Sequence, residues 1–119
     1  LKIILKKFFK RKIHVSSIDD FYKTLKDRNK MSYTAHPLFK TRGVPGTHDI
    51  KELKKNVISF DKSKYPLQIP IFDKLTDDRS DKIRMEYNKK DILILEGWCC
   101  GCSPIEKKFF NPQSVIQNA

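Results

Sequence analysis

Four consecutive apolar residues, Ile92-Leu93-Ile94-Leu95, lie between Asp91 and Glu96 and run into Gly97-Trp98. An unalternated run of this kind predicts a strand buried on both faces, the setting of a parallel sheet covered by helices. Parallel strands need long crossovers, and the preceding chain has helices to supply them. Leu1, Ile4, Leu5, Phe8 and Phe9 fall at helical spacing over residues 1–10, and Lys12 to Ser16 reads as a short strand leading into Asp19 and Asp20. Tyr22 to Met31 is polar and reads as an irregular or helical excursion. His36 to Gly46 holds two prolines and two glycines and reads as loop. Thr47 or Asp49 can cap a helix through about Lys55, with Ile50, Leu53 and Val57 as a sparse apolar face. A short strand at Leu67 to Ile69 is followed by Pro70 and an acidic loop, Phe72 to Arg79. Strands alternating with helices give an α/β class.

The chain has 119 residues, enough for one small domain and too few for two. With 39% apolar and 33% charged residues, it can support only a modest core. No run approaches the roughly 20 apolar residues of a membrane span, and Lys2, Lys6 and Lys7 interrupt the first segment, so neither a membrane partner nor a signal-peptide core is expected. Cys99, Cys100 and Cys102 are crowded into four positions without a distant partner. That pattern argues against a disulfide framework and for reduced thiols in a turn, hence a cytoplasmic protein. Leu1 opens an apolar-periodic helix with no capping residue, which leads us to expect that further sequence precedes it.

The net charge is +11, and residues 1–12 hold six cations and no acid. Such a stretch can contact nucleic acid through phosphates, and a basic binding module is one reading of the chain. The lysines, however, occupy the face opposite the apolar stripe, as on any solvated helix, and no zinc-finger spacing or Gly-flanked aromatic strand accompanies them. Nucleic acid is therefore not the expected partner.

Open parallel sheets bind ligands beyond the carboxyl ends of their strands, which is where Asp19, Asp20 and Glu96 fall. A carboxylate delivered by an apolar strand suits a hydrated Mg²⁺, which makes Glu96 a metal candidate, acting through water. A second carboxylate can take the proton of an attacking hydroxyl, a role for Asp19 or Asp20. In Arg42-Gly43-Val44-Pro45-Gly46-Thr47-His48-Asp49, the glycines and proline shape a tight turn while Arg42 offers a planar fork for carboxylate or phosphate. A capped turn explains Gly, Pro, Thr and Asp but not Arg42 and His48, so the segment reads as a ligand loop. Asp73, Lys74, Asp77, Asp78 and Arg79 can equally form a solvated loop whose charges neutralise one another.

The motifs Ser17-Ile18-Asp19-Asp20-Phe21-Tyr22, His36-Pro37-Leu38, Arg42 to Asp49, Pro70-Ile71-Phe72-Asp73-Lys74 with Asp77-Asp78-Arg79, and Ile94-Leu95-Glu96-Gly97-Trp98-Cys99 stand in an order that resembles P-loop kinases of the D-glycerate 3-kinase type, within the phosphoribulokinase and uridine kinase group. The resemblance covers about residues 1–104 and leaves 105–119 as a divergent tail. It implies a single incomplete domain with a three-layer P-loop NTPase-type α/β fold and a mainly parallel sheet. It also implies ATP and Mg²⁺ as cofactors and a small hydroxylated acceptor such as glycerate. Asp19 and Asp20 then match the catalytic-base segment, while Tyr22, Arg42, Thr47, His48 and Asp49 match the acceptor pocket. Glu96 matches the metal-side strand ending. No G-x-x-x-x-G-K-[ST] loop occurs in these 119 residues, so the cradle for ATP phosphates is expected from elsewhere. The expectation is a kinase fragment, inactive alone and prone to instability, or half of a split kinase whose partner chain carries that loop.

Overall fold

The computed structural model describes residues 1–103. Helix α1 (Lys2–Phe9) leads to strand β1 (Ile13–Ser17) and a 3-10 turn at Ile18–Phe21. Helix α2 (Leu25–Thr34), a second 3-10 turn at Pro37–Lys40 and helix α3 (Ile50–Asp61) follow, then strands β2 (Leu67–Asp73), β3 (Asp78–Glu86) and β4 (Ile92–Glu96). The fold is mixed α/β. β1 and β4 pair in parallel, with Ile13 opposite Ile92 and Ser17 opposite Glu96, so both strands end at the same level. β2 and β3 form a separate antiparallel hairpin.

The hairpin carries the core. Phe21 from the first 3-10 turn packs with Leu67 and Ile69 of β2, and Leu53 and Phe60 of α3 close over them with Tyr65. α3 starts where its chemistry allows: the Asp49 side chain accepts from the Glu52 backbone N–H at 3.0 Å, satisfying one of the unpaired donors of the first turn. α2 is capped in the same way by Thr24, which accepts from Asp27 N–H at 3.1 Å.

Four readings of the sequence change here. The β4 run is only half-buried, because among the described residues it pairs with β1 alone and has no second covering layer. β2 does not end at Pro70. A bulge between Pro70 and Phe72 lets the strand continue to Asp73, absorbing the residue that has no N–H to give. The segment after it is a tight hairpin turn leading into β3, a strand whose charged, mostly exposed residues gave no alternation to detect. α3 runs one and a half turns past Lys55, and its packed face is Leu53 and Phe60 with Val57 half-exposed at its edge, while Ile50 turns outward. Residues 105–119, read as a divergent tail, lie outside the described residues.

Candidate functional site

β1 ends in a turn that aims two carboxylates outward. Ser17 Oγ accepts from the Asp19 backbone N–H at 3.3 Å, which ends the extended strand and starts the 3-10 turn bearing Asp19 and Asp20. Directly after it, residues 21–23 run antiparallel to 47–49. The Lys23 N–H donates to the Thr47 carbonyl at 2.8 Å and the Asp49 N–H to the Phe21 carbonyl at 2.6 Å, with Tyr22 opposite His48. The two rings stack at 4.2 Å between centroids, and Tyr22 meets the edge of Phe72 at 5.2 Å. This aromatic wall lies beside the Asp19 turn.

The wall is buried and its polar atoms are unusual. His48 is 4% exposed, and its Nε2 has no hydrogen-bond partner. Burial holds the imidazole below its usual pKa, with the Asp19 carboxylate opposing, so the ring is neutral at pH 7. Burial, reinforced by the Asp19 charge, pushes the Tyr22 phenol up to about 12, which keeps it a protonated donor. Asp19 pairs with Lys74 at 3.1 Å and Asp20 with Arg84 at 3.3 Å, both cations coming from the hairpin. These are weak ties, since Lys74 is 62% exposed and water screens it.

Arg42 extends from the loop over the Phe72 ring, 5.7 Å from its centre, and donates to the Asp77 carboxylate. Thr47 and Asp49 serve the turn itself. Thr47 is fully buried with its hydroxyl donated to the Val44 carbonyl at 2.6 Å, and Asp49 caps α3. Gly43 and Gly46 both hold positive φ, +99° and +97°, and a Cβ on Gly46 would sit 2.9 Å from Phe39. Glu96 is exposed at the tip of β4, level with Ser17 and therefore on the same rim as Asp19. Behind it Gly97 is obligatory, because a Cβ there would lie 2.1 Å from Ile18 Cγ2. Asp19, Tyr22, Arg42 and His48 thus meet on one edge, with Glu96 at the adjoining strand tip.

No protein-family model matches the chain. It is 37% identical over 108 aligned residues to the probable ATP-dependent kinase TDA10 of Saccharomyces cerevisiae, an alignment taking in 80% of this chain and 37% of that protein. It is 33% identical over 100 residues to the uncharacterized kinase mug58 of Schizosaccharomyces pombe, covering 76% of this chain and 36% of the other. Its fold superposes on D-glycerate 3-kinase from Cryptococcus neoformans with a TM-score of 0.76 and 31% identity over 89% of this chain and 40% of that one. The chain resembles one part of a glycerate kinase-like P-loop kinase. It spans about two fifths or less of the length of these relatives.

The relatives' descriptions as kinases imply ATP use on their part, and ATP is handled with Mg²⁺. Among the described residues no three His, Cys, Asp or Glu side chains gather as a metal cage. Mg²⁺ does not require one, since it keeps several waters and takes one or two carboxylates plus substrate phosphates. Glu96, a hard oxygen donor facing solvent, fits that role. The three cysteines are free thiols, with Cys99 half-buried and Cys100 and Cys102 exposed.

Sequence reasoning missed the residues that hold the site together. Arg28 lies in the polar stretch that offered no periodicity, yet it is among the most deeply buried side chains. The hairpin-turn charges do not neutralise one another as a solvated loop. Asp77 binds Arg28 and Arg42, Asp78 accepts from the Leu25 N–H at 2.7 Å, and Arg79 bonds Glu52 at 2.6 Å and the Tyr22 carbonyl at 2.7 Å.

Proposed function

We propose that this chain is the acceptor-binding and proton-accepting part of an ATP-dependent small-molecule kinase, one that phosphorylates a hydroxyl of a small hydroxylated acid such as glycerate. The observation that carries the reading is the buried His48 Nε2, without a partner, in a wall formed with Tyr22 and flanked by Asp19 and Arg42. A buried polar atom left unpaired is costly, and a hydroxylated ligand that opened access to the ring would supply the missing hydrogen bond.

The roles follow from chemistry and position. Arg42 binds the acceptor's carboxylate through its planar fork. Neutral His48 and the protonated Tyr22 phenol orient the acceptor hydroxyls, and Thr47 and Asp49 hold the loop that presents them. Asp19 takes the proton from the attacking oxygen, with Asp20 beside it on the same turn. ATP with Mg²⁺ supplies the phosphoryl group and neutralises its charge, and Glu96 would hold the hydrated ion. The three free thiols fit a reducing compartment, for which we take the cytoplasm.

These 119 residues contain no phosphate-binding G-x-x-x-x-G-K-[ST] loop, so we expect no turnover from them alone. Supplying a segment that carries that loop, fused or in trans, is expected to give ATP-dependent phosphorylation of D-glycerate. Asp19→Asn should lower that rate by at least about 100-fold, the scale of a lost general base. A rate unchanged in that variant would overturn the assignment.

A further inference from the structure

Arg42 is a partly exposed cation beside the aromatic wall, and a loop arginine with a long flexible stem is ordinarily free to wander. Here it is restrained from behind. Asp77 stands in the β2–β3 turn with φ +55°, a left-handed conformation that aspartate tolerates better than most residues. One carboxylate oxygen takes the Arg42 Nη1 donor; the other takes Nη1 and Nη2 of Arg28, each at 3.2 Å. Arg28 also donates to the Asp77 carbonyl, to the Lys40 carbonyl at 2.9 Å and to the Lys23 carbonyl at 3.3 Å. A single fully buried guanidinium therefore ties α2, the Lys23 segment preceding it, the loop entering Arg42 and the hairpin turn. Both arginines also lie against Phe72, Arg28 at 5.6 Å and Arg42 at 5.7 Å from the ring centre.

The charge arithmetic matters. Two guanidinium groups and one carboxylate leave a net charge of +1 among the three, so the cluster keeps one positive charge for a ligand instead of being neutralised. Arg28 cannot meet a ligand because it is sealed in. Arg42 can, since 35% of its side chain stays exposed. We infer that Asp77, itself locked by buried Arg28, is a positioning residue that fixes the Arg42 guanidinium across Phe72 toward the Tyr22–His48 wall, ready to take an acceptor carboxylate. The inference rests on the acceptor-pocket reading above, and it extends the site to two elements, α2 and the hairpin turn, that touch no substrate.

The test uses the 119-residue chain and nitrogen-15 relaxation of the Arg42 Nε–Hε group, followed with and without D-glycerate. In the unaltered chain the Arg42 Nε group should be as rigid as the surrounding backbone. In Asp77→Asn, which retains an oxygen acceptor but loses the charge, it should become mobile and D-glycerate should bind at least about tenfold more weakly, while Asp77→Glu restores part of both. A purely structural role would alter thermal stability and leave Arg42 order and D-glycerate affinity alike in the two chains, and either equality overturns the inference. Should Asp77→Asn fail to fold, acidification of the unaltered chain replaces it. The charged groups facing Asp77 are Arg28 from α2 and Arg42 from the loop, so Arg42 order should vanish as the Asp77 carboxyl protonates, and order persisting after protonation overturns the inference. Rigid Arg42 in a chain whose signals do not respond to D-glycerate would instead remove the acceptor-pocket reading itself.

Discussion

The two halves of the molecule are stabilised to different degrees. The body formed by the 3-10 turn, α2, α3 and the β2–β3 hairpin closes around Phe21, Leu67 and Ile69 and is cross-tied by Arg28, Asp77, Asp78 and Arg79. The other half, α1 with the β1–β4 pair, has no buried residue in its helix and only half-buried side chains along β4 up to its exposed final residue, and is buried mainly through Ile13, His14 and Ser16 of β1. Asp19, Tyr22, Arg42 and His48 belong to the well-packed half; Glu96 belongs to the other. The aromatic wall is packed mainly by the hairpin and α3 side of the molecule.

Removing the buried cross-tie should produce the largest effect. Arg28→Ala leaves the Asp77 carboxylate and the Lys23, Lys40 and Asp77 carbonyls without their shared donor. Breaking a buried charge pair costs about 3–5 kcal/mol, and the partial exposure of Asp77 puts this case near 3. Chemical denaturation of both chains measures it. Lys74→Ala, which breaks the exposed tie to Asp19, should stay below about 1 kcal/mol. If the two cost the same, the body is not held by its buried network.

Gly97→Ala probes the seam between the halves. The added methyl would stand 2.1 Å from Ile18 Cγ2, and the backbone at the tip of β4 would have to shift. Overpacking of this kind costs about 1–3 kcal/mol, read from the denaturation midpoint. The same shift would displace Glu96 from the Asp19 rim, so the seam matters to the site as well as to stability.

The parts of this architecture that could be read in the sequence are those written in local pattern. β1 and β4 announce themselves by apolar composition, the Asp49 cap by residue type, and the turn entering α3 by its Gly, Pro and Thr. Burial was misjudged wherever it depended on neighbours. A run such as Ile92 to Leu95 is fully buried only when strands flank it on both sides. β3 was invisible because Asp78-Arg79-Ser80-Asp81-Lys82 looks like a solvated loop, and it becomes a strand only by pairing with β2. Arg28 is the sharpest case. Its partners, Asp77 and the Lys40 carbonyl, are distant in sequence, and an arginine in a polar helix carries no mark of burial.

Acid should act on both halves through their buried histidines. His14 of β1 and His48 of the loop before α3 both have pKa values lowered chiefly by burial, so the unfolded chain binds protons more readily than the folded one. Their contribution to stability is complete above the ordinary histidine value of about 6.5 and is lost as the pH falls below it toward the lowered folded values. Thermal unfolding between pH 7.5 and 5.5 should show this decline, and His48→Gln should flatten it. At the other extreme, the raised Tyr22 phenol stays protonated in the fold while the unfolded chain ionises, so stability should also fall above about pH 10.

The smallest effect is expected at α1, and a small effect is what gives the measurement its value. Phe8 is 70% exposed and Ile3 79%, so Phe8→Ser removes apolar surface that the described chain does not bury. Surface changes away from caps and networks stay within about 0.5 kcal/mol, and Phe8→Ser should do so in chemical denaturation. A loss above about 1 kcal/mol would mean that α1 packs on this chain's own core, and the contrast between the halves would disappear. The complementary measurement is made after a phosphate-loop segment has been supplied. If that segment completes the sheet and covers the apolar stripe, Phe8→Ser should then cost about 2–5 kcal/mol, the scale of a large apolar side chain lost from a core. Neutrality in both settings would show that the stripe faces water with that segment in place as well.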